Sequence, residues 1–97
     1  MKHNVENGKL IIYLEGELNS YNSEEVEKEI EQITSSSKFD ALVLDMEHLS
    51  YISSAGLRII VRLKQQYDDV TVTKVSSDVF DIFDMVGFQN LVKIERL

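Results

Sequence analysis

The sequence contains no cysteine, so disulfides, thiolate metal sites, a catalytic thiol and an iron–sulfur cluster are excluded together. It contains no proline and four glycines, and no segment has linker composition, so neither an internal boundary nor a repeat is expected. Histidine occurs only as His3, in the terminal segment, and His48, six residues before Ser54. Two such positions supply no metal-ligand spacing and no good imidazole base for a serine nucleophile. A glycine-rich phosphate cradle is also missing. No run of about 18 apolar residues exists for a membrane span, and the N-terminus has no apolar stretch for a secretion signal, so a cytoplasmic chain is expected. Positive charge is scarce: 10 Lys plus Arg stand against 17 Asp plus Glu, a net of −7. An acidic domain repels the phosphate backbone that supplies most non-specific nucleic-acid affinity, so nucleic acid is not an expected partner.

What remains is an ordinary globular composition, 43% hydrophobic and 28% charged, in 97 residues. That length supports one core, hence one domain over residues 1–97. Lys9-Leu10-Ile11-Ile12-Tyr13-Leu14-Glu15 reads as a strand ended by Gly16, with a shorter strand around Val5 hairpinned onto it through Asn7-Gly8. Asn22 stands three residues before Glu25 at capping-box spacing, and Val26, Ile30 and Ile33 follow at helical intervals, which predicts an amphipathic helix over Ser23–Ser35. Its glutamates, Glu27 among them, read as the solvated side. Ala41-Leu42-Val43-Leu44-Asp45 lacks alternation and predicts a central strand covered on both faces, with Asp45 at its end.

A second helix is predicted from the serine pair to Tyr67, a β-branched strand over Val70–Val75, and a third helix around Val79–Val86 stopped by Gly87 with Phe88 folding back. Leu91–Ile94 reads as a last strand. Strands alternating with helices specify an α/β domain with a small, mostly parallel sheet and right-handed crossovers. Sites in such sheets lie beyond the C-terminal ends of the strands, which points to the segment after Asp45.

That segment is Met46-Glu47-His48-Leu49-Ser50-Tyr51-Ile52-Ser53-Ser54-Ala55-Gly56, a connection entering a helix. In one reading a serine there is only an N-cap, accepting a backbone N–H with its hydroxyl oxygen. In the other, a phosphate on serine meets the free N–H groups and dipole of the helix start, a phosphorylation switch. Ser54, Arg58 and Arg62 recur every four residues and share one helix face if the helix begins at Ser54, whereas Ser53 is off that row. The two arginines are either solvated surface residues or the basic contribution to a partner surface, supported by the Gly16–Tyr21 turn. Ile52-Ser53-Ser54-Ala55-Gly56 lacks the first glycine of a nucleophile elbow, so no enzyme, metal or cofactor is expected.

Val43-Leu44-Asp45-Met46-Glu47-His48-Leu49-Ser50-Tyr51-Ile52-Ser53-Ser54-Ala55-Gly56-Leu57-Arg58 resembles the signature of STAS domains of the anti-sigma factor antagonist type. Gly16-Glu17-Leu18-Asn19-Ser20 is similar to that family's motif after its second strand, and Val79-Phe80-Asp81-Ile82-Phe83 with Val86-Gly87-Phe88 to its last helix and turn. The resemblance implies a small mixed sheet with an antiparallel N-terminal strand and packed helices. The family loop usually reads Asp-Ser-Ser-Gly-Leu or Asp-Ser-Thr-Gly-Leu, so anchoring on Gly56-Leu57 implies Ser54 as phosphoacceptor. Ser53 then stands where the family has Asp, Ala55 where it has a second hydroxyl, and Asn19 where it commonly has Asp.

Asn19, Ser53, Ser54, Arg58 and Arg62 are the implied partner-binding residues, with Ser53 the second candidate for phosphate. The implied partners are an anti-sigma serine kinase of the histidine-kinase-like ATPase fold, captured while Ser54 is unphosphorylated, and a metal-dependent serine phosphatase. The resemblance leaves one alternative, a noncatalytic STAS subunit of a membrane transport complex that binds without phosphorylation.

Overall fold

The computed structural model describes residues 1–97. In chain order the elements are β1 (His3–Glu6), β2 (Lys9–Leu18), α1 (Ser23–Ser35), β3 (Ala41–Ile52), α2 (Ser54–Gln66), β4 (Val70–Val75), α3 (Ser77–Met85), a 3-10 turn at Phe88–Asn90, and β5 (Lys93–Arg96). The strands lie side by side in the order β1-β2-β3-β4-β5, with β1 antiparallel to β2 and every other neighbouring pair parallel. This is the mixed, mostly parallel α/β sheet expected.

The crossovers that carry α1, α2 and α3 each step to the adjacent strand in the same direction. With the usual right-handed connection, that places all three helices on one face. The core agrees. Leu10, Ile12 and Leu14 of β2, Leu42 and Leu44 of β3, and Val70 and Val72 of β4 join Ile30 and Ile33 of α1, Ile59, Ile60 and Leu63 of α2, and Val79 and Phe83 of α3 in a single apolar cluster. The alternate residues Ile11, Tyr13, Ala41, Val43, Thr71 and Thr73 are only half-buried, and β3 is therefore covered by helices on one side, not both. Its unbroken apolar run has another cause: Val43 lies between Ile11 and Thr71 in the sheet register, and such neighbours shield even the open face of a middle strand.

Three further boundaries differ from expectation. β2 continues through Gly16 to Leu18, and β3 does not stop at Asp45 but runs on to Ile52, so most of the segment read as a loop is strand. Its buried residues Met46, Leu49 and Ile52 are spaced by three, which conceals a strand in the sequence. Register shifts between Tyr13 and Glu15 and between Gly16 and Glu17 absorb the extra residues, as bulges do. The last strand begins at Lys93 because the chain first makes the 3-10 turn, entered through Gly87 at φ 67, with Phe88 stacked on Phe83 at 5.1 Å between ring centroids.

Candidate functional site

The long β2 and β3 end together, with Leu18 opposite Ile52, and the two chain segments leaving them form the candidate site. Ser53 is the N-cap of α2, extended at φ −93 and ψ 175, and its Oγ accepts the Gly56 N–H at 3.4 Å. Its own N–H donates to the Leu18 carbonyl at 2.8 Å, which ties the serine loop to the end of β2. Ser54 is the first residue of the helix and is exposed. The capping role therefore falls on Ser53, and the exposed hydroxyl at the positive end of the helix on Ser54.

Gly56 explains how close the helix start comes. A Cβ at this position would lie 2.7 Å from Ile52 Cγ1 and 2.8 Å from Leu18 Cγ, so only glycine lets the first turn of α2 rest on both strand ends. The helix-breaking cost of glycine is tolerated for that approach.

The second segment is the turn from β2 into α1. Asn19 Oδ1 accepts the N–H groups of Tyr21 at 2.9 Å and Asn22 at 3.1 Å. Asn22 Oδ1 accepts the Asn19 N–H at 2.9 Å, and Asn22 Nδ2 donates to the Glu17 carbonyl at 2.7 Å. The capping-box expectation for Asn22 is corrected: its side chain makes no cap bond to α1, because it is turned back to hold the turn. Asn19, expected at the partner surface, has its amide oxygen occupied within the same turn.

The arginine row divides. Arg58 is exposed. Arg62 leans toward α1, its Nε and Nη2 donating to Glu27 Oε2 and Oε1 at 2.7 Å each. Glu27 is thus half-buried and paired, not a solvated acid. Hydrogen bonding from Arg62 holds the Glu27 carboxyl below its ordinary range, against the opposing effect of partial burial, and the same bond pushes the Arg62 guanidinium up.

Asp45 and Glu47 do not face the serines. Asp45 is buried within β3; its Oδ1 accepts the Glu47 N–H at 3.0 Å and its Oδ2 lies 3.5 Å from Lys74 Nζ. Glu47 lies 3.6 Å from the same ammonium. The charge of Asp45, then that of Glu47, pushes the Lys74 pKa up. Lys74 sits within β4 at φ 55, a left-handed conformation uncommon for a side-chain-bearing residue, where the pairing of β4 with β5 shifts register between Val72 and Val75. His48 is exposed on β3, in register with Glu15.

None of the surface grooves includes Ser53, Ser54 or Arg58. No helix is long and apolar enough to cross a membrane. Sequence reasoning missed the Asn19–Asn22 clamp, whose only signal was the repeated Asn at a spacing of three, and the isolation of Tyr21 at its tip.

Comparison with known proteins agrees with this architecture. The STAS domain family model matches residues 1–96. BtrV of Bordetella bronchiseptica, described as an anti-sigma factor antagonist, is 33% identical over 92 residues, which cover 90% of this chain and 78% of the relative. The crystal structure of an anti-sigma factor antagonist from Mycobacterium paratuberculosis superposes with a TM-score of 0.87 at 16% identity, over 99% of this chain and 84% of that one. The anti-sigma factor antagonist SpoIIAA in its unphosphorylated form superposes at 0.74 with 17% identity, over 96% and 87%. With the family model covering nearly every residue and the five-stranded sheet placing Ser53, Ser54 and Gly56 at the strand ends, the chain belongs to the STAS domain family, of the anti-sigma factor antagonist type.

Proposed function

We propose that the protein is a noncatalytic, phosphorylation-controlled partner switch, which captures an anti-sigma serine kinase of the histidine-kinase-like ATPase fold while Ser54 is unphosphorylated. The observation that carries this reading is the division between the two serines: Ser53 is engaged as the helix cap, and Ser54 is exposed one residue on. The partner surface is the face bearing Ser54 and Arg58, with Ser53 and Asn19 holding its two loops and Arg62 at its edge toward α1. A phosphate on Ser54 adds a charge of about −1.5 to −2 at the centre of that surface, and repulsion and desolvation then release the partner. A serine phosphatase restores capture. His48 is on the strand and Asp45 is held by Lys74, which supports a binding role over a catalytic one.

Incubation with the cognate kinase and ATP, followed by phosphosite mapping, tests this. Phosphate is expected on Ser54. Ser54→Asp should lower kinase affinity at least about tenfold, whereas Ser54→Ala should bind and resist release. Phosphate on Ser53 would overturn the assignment, and capture of a transport ATPase with no phosphate on any serine would replace the switch with the constitutive-subunit role.

A further inference from the structure

Tyr21 is the most exposed of the large hydrophobic side chains, 98% accessible. An exposed aromatic on a mobile loop carries little meaning, but this one stands on a locked backbone. Its own N–H is bound by Asn19 Oδ1 at 2.9 Å, and the flanking residues are clamped by the reciprocal Asn19–Asn22 bonds and by Asn22 Nδ2 on the Glu17 carbonyl. The clamp is joined to the serine loop. Leu18 precedes Asn19, accepts the Ser53 N–H, and lies under Gly56 in the first turn of α2. Tyr21 and Ser54 therefore project from one rigid unit at the same end of the sheet.

No intramolecular contact explains why a phenol ring is held in water. In interfaces, by contrast, tyrosine is enriched among the few side chains that dominate affinity, because it brings large apolar area with few rotatable bonds. Its surroundings select the kind of counterpart. Glu17, Glu24 and Glu25 are exposed around the turn and repel both a nucleic-acid backbone and an anionic membrane surface. A protein cleft, apolar at its base and polar at its rim, is the surface that accepts such a ring.

We infer that Tyr21 is the aromatic anchor of the capture surface, inserted into an apolar cleft of the captured kinase, and that Asn19 and Asn22 are positioning residues that present it beside Ser54. This rests on the partner-switch reading above and adds the residue that supplies the affinity which Ser54 controls. It also gives Asn19 a role independent of charge. An aspartate there offers an oxygen to the same two N–H groups, so Asn and Asp are structurally equivalent in this turn, whereas alanine is not.

The test is calorimetric titration of the cognate anti-sigma serine kinase into the full chain and its variants, with thermal unfolding recorded alongside. Tyr21→Ala should raise Kd about 30-fold or more, Tyr21→Phe should retain most of the affinity, and thermal unfolding should be unchanged in both. Asn19→Ala should weaken binding while Asn19→Asp keeps it. Met85→Ala removes a side chain that is 85% exposed at the last residue of α3, outside the two loops of the capture surface, and should have no effect. Binding by Tyr21→Ala within threefold of wild type, with Ser54→Asp still released, would overturn the anchor and leave the switch intact. Failure of the wild-type chain to bind the kinase would overturn both. A self-associating chain that Tyr21→Ala renders monomeric, with kinase affinity unchanged, would reassign Tyr21 to self-association and overturn the anchor.

Discussion

The two halves of α2 share one amphipathic pattern and one buried stripe, yet differ in what meets their outer face. In the first half, Gly56 brings the backbone onto Leu18 and Ile52, while Ser54 and Arg58 face outward. In the second, Arg62 is clasped by Glu27 of α1, the Lys64 ammonium bonds the Asp68 carbonyl, and just past the helix end Tyr67 packs on Phe39 with ring centroids 5.2 Å apart. Arg58 and Arg62 are the same residue type one turn apart, and only the second has a partner within the fold. Rigid support beneath an unpaired outer surface distinguishes the end proposed to bind a partner from the end that packs against α1.

The strongest way to sharpen this contrast is at the buried stripe. Leu63→Ala, in the second half, should destabilise the fold by about 2–5 kcal/mol in chemical denaturation, with unchanged kinase affinity for the folded fraction. An equal loss of affinity would erase the division between the halves. Gly56→Ala should cost about 1–3 kcal/mol, because its new methyl meets Ile52 and Leu18 inside contact distance. At an ordinary helix position the same change would gain up to about 1 kcal/mol, so a stabilised variant would refute the close approach.

Smaller again is the difference between the serines. Ser53→Ala should lose about 1 kcal/mol with the cap, whereas Ser54→Ala should stay within about 0.5 kcal/mol of wild type. Equal costs, read from paired thermal melts, would contradict the cap assignment. The smallest effect is expected at the Arg62–Glu27 pair, and its signature is pH dependence. Because Arg62 holds the Glu27 carboxyl below its ordinary range, the pair stabilises the fold fully above the ordinary glutamate value of about 4.5 and is lost as pH falls through the lowered one. Glu27→Gln should therefore lower Tm near pH 7 and converge with wild type in acid. Arg58→Gln, which removes the unpaired arginine, should leave that profile unchanged; a shift like that of Glu27→Gln would show that the two arginines do not differ.

Much of this molecule was decided by local chemistry. The hairpin at Asn7-Gly8, the span of α1, the left-handed stop at Gly87 and the assignment of a serine to the start of α2 all depend on backbone preferences and on periodicities shorter than one element. The net charge of −7 and the absence of cysteine bounded the function classes in the same local way. Tertiary structure alone decided the rest. β3 reaches Ile52 because bulges against β2 accommodate a buried period of three, and a bulge is a property of two strands, not one. The helices gather on one face because three crossovers turn the same way. Arg62 pairs with Glu27 across 35 positions of chain, a closeness that no spacing within α2 encodes. Asn22 and Asn19 bond each other instead of capping α1, because a side-chain amide takes whichever backbone groups the assembled turn leaves open. Tyr21 stands free because nothing in the assembled fold covers it, and exposure is a relation to every other residue that no single stretch of sequence contains.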